Sequence, residues 1–142
     1  RQESELGSRI EARHDGYVRR HGFHHQRTLL LLSDGRELRG EDALLAAPGA
    51  RPRRADAMTP FLLRFHLAAG VEAVATADNQ AAMLRTSAGN FWHFRSRGER
   101  LTIEDSVWVD GWGRLFTTQQ IVIHGLAPPA GINVNWVMKR AR

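Results

Sequence analysis

Histidine side chains concentrate near the start of the chain, where four of the seven lie within twelve residues. Clustered imidazoles are a common zinc-binding arrangement. The spacing argues against such a site, because His24 and His25 are adjacent and would face opposite sides of a strand. No carboxylate pattern completes a set of three ligands, so we predict partly exposed sheet histidines and no metal ligand. The four histidines are His14, His21, His24 and His25.

A polar cluster is predicted where two neighbouring strands carry hydrogen-bonding side chains among apolar ones. Buried polar groups need partners, and a carboxylate with a guanidinium is the obvious charge pair, here Asp15 with Arg27. The alternative is that Asp15 only begins a turn before Gly16. The predicted cluster consists of His14, Asp15, Tyr17, His25 and Arg27.

Four tryptophans stand out in a chain with one tyrosine. An exposed indole can stack on a sugar ring. Alternation along the strands places Trp92 and Trp136 in the core, whereas Trp108 lies on the opposite face of its strand and Trp112 lies in a turn. Trp108 and Trp112 are therefore the candidates for sugar contact, with core packing as the alternative for all four.

Other motifs that carry chemistry are weak. Gly111-Trp112-Gly113 does not open a helix and predicts no dinucleotide site. Neither a Gly-x-Ser-x-Gly elbow nor a His-Glu-x-x-His motif occurs, so hydrolase and metalloprotease functions have no support. Asp105 lies on an otherwise apolar strand face, which allows three interpretations. It is a buried acid with a raised pKa, it forms an ion pair with an arginine, or it marks a β-bulge.

The composition is that of a globular chain. Its 142 residues suit one domain, and 42% are hydrophobic and 25% charged. No apolar run reaches the length of a membrane span. With no cysteine, disulfides and thiolate zinc sites are excluded. The chain starts at Arg1 without an apolar signal core, so we expect a processed chain or part of a longer protein.

The basic charge has two interpretations, a scattered and solvated distribution, which we favour, and a site for an anionic partner. The net charge is +5, and nineteen of the twenty basic residues are arginine. The arginines are scattered and no nucleic-acid-binding motif accompanies them, so we expect neither a nucleic acid nor a membrane partner. The planar guanidinium does suit the sulfate or carboxylate of acidic sugars.

The elements that must position these residues have a period of two. Apolar and polar side chains alternate in Phe61–Leu67 and Ile132–Met138, as in half-buried antiparallel strands. Turn signals recur every eight to twelve residues, with Asp34-Gly35 the strongest hairpin signal. We therefore predict an all-β fold, an antiparallel β-sandwich in a single domain. The predicted strands are 8–14, 17–20, 25–33, 36–45, 60–68, 71–77, 80–86, 90–96, 100–109, 115–124 and 131–139.

Three segments depart from that pattern. Glu41–Ala47 and Gln80–Leu84 contain good helix formers, but each is short and bounded by turns, so we predict strands. Ala46–Pro60 has three prolines, an arginine cluster and no periodicity, and is predicted to be a loop.

An ordered series of short motifs carries a family resemblance. The series is similar to the C-terminal part of bacterial heparinase II/III-like proteins, in the form common in alphaproteobacteria, over about residues 8–140. Its members are Glu11–Tyr17, His25–Leu29, Leu38–Leu44, Phe65–Leu67, Glu104–Val107 and Thr118–Val122.

The resemblance implies a polysaccharide lyase in which an N-terminal α/α toroid precedes a C-terminal antiparallel β-sandwich. Such enzymes break a uronic-acid glycosidic bond by β-elimination, with the catalytic asparagine or histidine and tyrosine supplied by the toroid. A His-x-His-x-Asp motif and structural metal ligands, where present, precede the segment that His14–Tyr17 resembles. Residues 1–142 would then be a sandwich domain without the toroid, with no catalytic residue, no metal ligand and no cofactor of its own.

Three functions follow as expectations. The first is the sandwich domain of such a lyase, inactive alone, partnered by the toroid and, through the parent protein, by acidic polysaccharide. The second is a stand-alone carbohydrate-binding module for acidic polysaccharide, and the third is a structural interaction domain. A sheet edge exposed by missing strands would favour self-association. The resemblance implies a bacterial protein of the periplasm, with the cytoplasm as the alternative.

Overall fold

Strands dominate the computed structural model, which describes residues 1–49, 54 and 56–141. The fold is an antiparallel all-β sandwich, which confirms the fold class expected from the alternation. No helix in this part of the chain is long and apolar enough to cross a membrane. The described elements are β1 (Gln2–Ser4), β2 (Gly7–His14), α1 (Val18–His21), β3 (Phe23–Leu32), β4 (Glu37–Ala46), β5 (Thr59–His66), β6 (Glu72–Ala75), β7 (Ala81–Arg85), β8 (Phe91–Ser96), β9 (Arg100–Val109), β10 (Leu115–Ala127) and β11 (Gly131–Arg140).

Two compact units make up the chain. The first comprises Arg1–Phe61 and Gly125–Val137, and the second comprises Leu62–His124 and Met138–Arg142. In the first unit the strand order is β1-β2-β3-β4, followed by the first part of β11. The three-residue strand β1 lies at the edge of this order. That the exposed edge pairs with a second copy of the chain stays a prediction.

Two registers in the first unit decide which side chains meet. Strands β2 and β3 pair antiparallel from Gly7 opposite Leu32 to His14 opposite His25. Strands β3 and β4 pair antiparallel through the predicted Asp34-Gly35 hairpin. Of the two predicted turn residues only Gly35 takes a positive φ, because its N–H donates to the Leu32 carbonyl at 2.9 Å and the turn is therefore centred on Ser33 and Asp34. The Asp34 carboxylate also accepts the backbone N–H of Arg36 at 2.9 Å. The sequence thus predicted the hairpin but not its turn geometry.

A glycine permits close packing between β4 and β11. A Cβ at Gly40 would overlap the indole ring of Trp136, which is 6% exposed. The strand segment from Glu41 therefore packs closely against β11, although its residues favour a helix. Tertiary packing overrides that propensity, and the strands predicted at Glu41–Ala47 and Gln80–Leu84 are present as β4 and β7.

The second unit contains two facing layers. One has the order β8-β7-β6 and the other β5-β10-β9. Between them the Phe65 and Phe94 rings lie 5.1 Å apart, and the Gln119 side chain exchanges hydrogen bonds of 2.7 and 3.3 Å with the backbone of Ala73. Side chains that are at most 3% exposed fill this core: Leu84, Phe94, Leu101, Ile121 and Ile123.

Three local expectations differ from the structure. The strand predicted at 17–20 is wrong, because Val18–His21 forms a helical turn that Gly22 ends in the left-handed conformation, with φ 76°. Strand β1 was not predicted, since its three polar residues show no apolar alternation. Trp92 is half-buried rather than fully in the core. Of the loop predicted at Ala46–Pro60, residues 50–53 and 55 lie outside the described residues.

The substitution Gly40→Ala is expected to lower the free energy of unfolding by about 1–3 kcal/mol, because the new methyl group must displace the Trp136 ring from a filled site. Urea unfolding measures this change. Gly111→Ala is the matched control, since a Cβ there meets no atom within 4 Å, and it should stay within about 0.5 kcal/mol of the original chain. Equal effects of the two substitutions would contradict the packing argument.

Candidate functional site

The buried carboxylate of Asp42 is the centre of the polar cluster in the first unit. Asp42 is 2% exposed and lies directly opposite Arg27 in the β3–β4 register. Its Oδ1 accepts hydrogen bonds from His25 Nε2 at 2.7 Å and Arg27 Nε at 2.7 Å. Its Oδ2 accepts from Arg27 Nη2 at 3.1 Å and from the Trp136 indole at 2.8 Å. Three side chains from two other strands therefore satisfy one carboxylate.

The environment of Asp42 favours its charged form. Burial alone would raise the pKa of this carboxyl, but the hydrogen bonds from His25, Arg27 and Trp136, with the positive charge of Arg27, hold the pKa below its ordinary value. The carboxylate is therefore ionised over the whole neutral range. An ionised acid at this position is an acceptor and not a proton donor.

A chain of hydrogen bonds runs from Asp42 to the surface. His25 lies opposite His14 in the β2–β3 register, with His14 Nε2 and His25 Nδ1 3.2 Å apart. The backbone N–H of Gly16 donates to His14 Nδ1 at 3.2 Å. In the neutral state His14 must then carry its proton on Nε2 and donate to His25, which donates from Nε2 to Asp42. One arrangement of protons satisfies all four ring nitrogens.

Tyr17 completes the exposed end of the cluster. Its ring lies edge-on to His14 with centroids 5.2 Å apart, and its centroid is 6.4 Å from those of His21 and His25. Tyr17 is 48% exposed, so the cluster is buried at Asp42 and open to solvent at the tyrosine and His14.

The structure brings together four of the five residues predicted to form the polar cluster: His14, Tyr17, His25 and Arg27. The carboxylate that Arg27 reaches is Asp42, where the sequence had suggested Asp15. Asp15 is exposed, and its backbone carbonyl accepts the N–H of Val18 at 2.9 Å, as in the turn that was the alternative.

Asp42 itself was not singled out from the sequence. It lies inside the quoted motif Leu38–Leu44 on a strand with helix-forming residues, and alternation there is weak. The signal that was available is its charge among apolar neighbours, together with an arginine and a histidine on the preceding predicted strand. Only the register identifies them as partners.

Metal ligands do not gather in the usual way. Among residues 1–49, 54 and 56–141 no group of three or more histidines and acids is arranged to hold an ion. His24 pairs with Leu45 across the strands, whereas the next residue, His25, pairs with Leu44. The two adjacent histidines thus occupy successive strand positions, which face opposite sides.

The β9–β10 hairpin of the second unit carries the exposed aromatic residues. Trp112 is 87% and Trp108 is 41% exposed, as their positions in the sequence suggested. The Trp108 ring lies 5.4 Å from the ring of Phe116, and the Arg114 guanidinium lies 5.9 Å from the Phe116 centroid. The Asp110 carboxylate orders the turn by accepting the backbone N–H groups of Trp112 and Arg114 at 2.8 and 2.9 Å. Apolar side chains thus project from an ordered turn.

Asp105 is not the buried acid that one interpretation of the sequence suggested. It is exposed, in an unbroken β9–β10 register from Arg100 to Val109 without a bulge. Its backbone carbonyl accepts the side-chain amide of Gln120 at 3.0 Å.

Comparison with known families shows to which family this chain belongs. The family described as Heparinase II/III-like, C-terminal matches residues 1–137. The chain belongs to that family. A bacterial relative, FtsZ-localized protein C of Caulobacter vibrioides, is 32% identical over 136 residues, which cover 90% of this chain and 22% of the relative.

Solved structures support the same fold for this heparinase II/III-like C-terminal domain. Heparan sulfate lyase HepC from Pedobacter heparinus matches with a TM-score of 0.77 at 11% identity, over 98% of this chain and 20% of the lyase. A structure of heparinase III matches with a TM-score of 0.68 at 14% identity, over 97% of this chain and 20% of that one. The chain spans about a fifth of the length of these relatives.

In this heparinase II/III-like domain, Asp42→Asn is expected to lower the free energy of unfolding by about 2–4 kcal/mol at pH 7, because an amide cannot accept all four hydrogen bonds and lacks the buried negative charge that faces Arg27. A carboxyl whose folded pKa is depressed stabilises the fold above its unfolded pKa and loses that effect as pH falls through the folded pKa. The difference between the variant and the original chain should therefore shrink between about pH 5 and pH 3. Urea unfolding of the variant and of the original chain, at pH 7 and at pH 3, measures this difference in the free energy of unfolding.

Asp15→Asn is the matched control for that substitution. Because the Asp15 carboxyl is exposed, we expect this substitution to change the free energy of unfolding by no more than about 0.5 kcal/mol at either pH. A difference for Asp42→Asn that stays constant down to pH 3, or an equal effect of Asp15→Asn, would contradict the assignment.

Proposed function

We propose that this chain is the non-catalytic sandwich domain of a larger heparinase II/III-like protein that cleaves uronic-acid polysaccharide by β-elimination. The observation that carries the proposal is the likeness in fold, over nearly the whole chain, to about a fifth of a heparan sulfate lyase and of a heparinase III. A preceding toroid would supply the catalytic groups, and the sandwich would support it and form one wall of the cleft. Such a protein would act in the bacterial periplasm.

The chemistry of β-elimination supports a non-catalytic role for these residues. The reaction needs one group to neutralise the uronate carboxylate, a base to remove the C5 proton and an acid to protonate the leaving oxygen. Positioning of such groups contributes up to about 7–11 kcal/mol. Tyr17 is the single tyrosine of the chain. Its neighbours His14 and His25 have all four ring nitrogens hydrogen-bonded within the cluster.

We expect the purified chain to have no lyase activity on heparan sulfate, heparin or alginate. The absorbance of unsaturated uronate at ultraviolet wavelengths follows the reaction. Sustained product formation that is lost in Tyr17→Phe would overturn the proposal, because it would make the chain catalytic by itself.

Direct contact with polysaccharide is proposed at the β9–β10 hairpin, and it would also serve a stand-alone carbohydrate-binding module. Trp112 and Trp108 present exposed indole faces that can stack on sugar rings. Arg114, held at 2.6 Å by Asp110, lies at the same turn. The scattered arginines would add a salt-sensitive attraction for sulfate or carboxylate groups.

A second candidate function is a protein-interaction domain. It is favoured by the 32% identity to FtsZ-localized protein C, compared with 11% for the heparan sulfate lyase. The exposed apolar side chains of the same hairpin would then face a protein surface. Beside Trp108 and Trp112, these side chains are Val107, Val109, Leu115 and Phe116.

One set of binding measurements separates the two functions. If the hairpin binds sugar, the chain is retained by heparan sulfate in affinity electrophoresis, and Trp112→Ala weakens retention roughly 2- to 12-fold, as expected for loss of one aromatic stack. That loss should persist at high salt, whereas the arginine contribution fades.

Phe91→Ala is the matched control, because Phe91 is 46% exposed on strand β8, outside the hairpin. Cosedimentation with FtsZ polymers, together with no retention by polysaccharide, would favour the interaction domain. Equal losses in Phe91→Ala and Trp112→Ala would contradict a hairpin site of either kind.

A further inference from the structure

Two histidines of the polar cluster have facing ring nitrogens at nearly the separation found between two ligands of one metal ion. His14 Nε2 and His25 Nδ1 face each other at 3.2 Å, and the two ring centroids are 5.2 Å apart with the ring planes at 81°. Two nitrogens bound to tetrahedral Zn²⁺ at about 2.0–2.1 Å lie about 3.3–3.4 Å apart. The observed separation, at the long end for a hydrogen bond, is thus also close to the separation that a shared ion requires.

A carboxylate stands behind one of these histidines. The ring of His25 uses Nδ1 toward His14 and Nε2 toward Asp42 Oδ1, at 2.7 Å. Metal-bound histidines commonly donate their second ring N–H to a carboxylate, which fixes the tautomer and the ring orientation. Asp42 is held in turn by Arg27 and Trp136, so this orienting contact is rigid before any ion arrives.

We propose that His14 and His25 form a two-histidine binding site for a divalent transition-metal ion such as Zn²⁺, with Asp42 orienting His25. Neutral imidazole nitrogens suit zinc, copper and nickel, and not calcium or magnesium. The ion binds both facing nitrogens, and the proton that His14 Nε2 donates to His25 in the ion-free chain is relocated, through solvent, to Nδ1 of the same His14 ring. Its remaining positions are open to water, because His14 and Tyr17 lie on the exposed side of the cluster.

Binding costs one hydrogen bond that the ion-free chain makes. With the ion on Nε2, a neutral His14 carries its proton on Nδ1 and no longer accepts the N–H of Gly16, now 3.2 Å away. Gly16 is exposed, so water satisfies that N–H. The His25 side requires no change, since its Nε2 proton already points to Asp42.

The test is a calorimetric titration of the chelator-treated full chain, without an affinity tag, with Zn²⁺. We expect one ion per chain and at least a tenfold weaker affinity in His14→Gln. This substitution removes an exposed ligand and leaves the His25–Asp42 contact intact. The matched control is His124→Gln, because His124 also lies beside a carboxylate, with Nε2 3.8 Å from Glu104. The control should keep its affinity within twofold.

A second measurement locates the ion in the unsubstituted chain. Imidazole nitrogen spectra should show that Zn²⁺ shifts Nε2 of His14 and Nδ1 of His25. Absence of zinc binding, binding unaffected by His14→Gln, an equal loss in His124→Gln, or shifts confined to histidines other than His14 and His25 would each overturn the proposal. None of these outcomes bears on whether the parent protein is a lyase.

Discussion

The buried Asp42 carboxylate is the interaction on which the first unit depends. A charge that is 2% exposed is tolerated only when partners surround it, and here the partners come from the two strands that flank β4. Arg27 and His25 reach it from β3, and Trp136 reaches it from β11. The indole that donates to Asp42 also lies over Gly40. The position of Trp136 therefore depends both on the absence of a side chain at Gly40 and on the hydrogen bond to Asp42.

The same carboxylate links stability to the exposed chemistry of the cluster. Its hold on His25 fixes which ring nitrogen faces His14, and this fixes the orientation of the exposed pair. A structural role in the buried half and a ligand-binding role in the exposed half are therefore compatible. The second unit works differently, since apolar side chains make up most of its core and its unusual feature is an ordered hairpin that presents tryptophans to solvent.

Alternation predicted most strands because a half-buried strand must bury every second side chain. It failed at Val18–His21, where a local turn and a left-handed glycine outweigh the pattern, and at β1, which has no apolar residue to alternate. The candidate site was predicted in composition but not in pairing. The density of polar groups on two neighbouring strands predicts His14, Tyr17, His25 and Arg27. The pairing of Asp15 with Arg27 rests on the expected proximity of those strands alone, and the register gives Arg27 the carboxylate of Asp42.

The sequence by itself determined the sheet fold, the hairpin at Asp34-Gly35, the exposure of Trp108 and Trp112 and the family resemblance, because these follow from local periodicity, turn chemistry and motif order. Tertiary structure alone decided that Asp42 is the acid of the cluster and that His14 meets His25. Both depend on strand register, and a shift of one residue would turn every side chain to the other face. Register is set by the packing of whole strands, such as Trp136 over Gly40, which no local stretch of sequence contains.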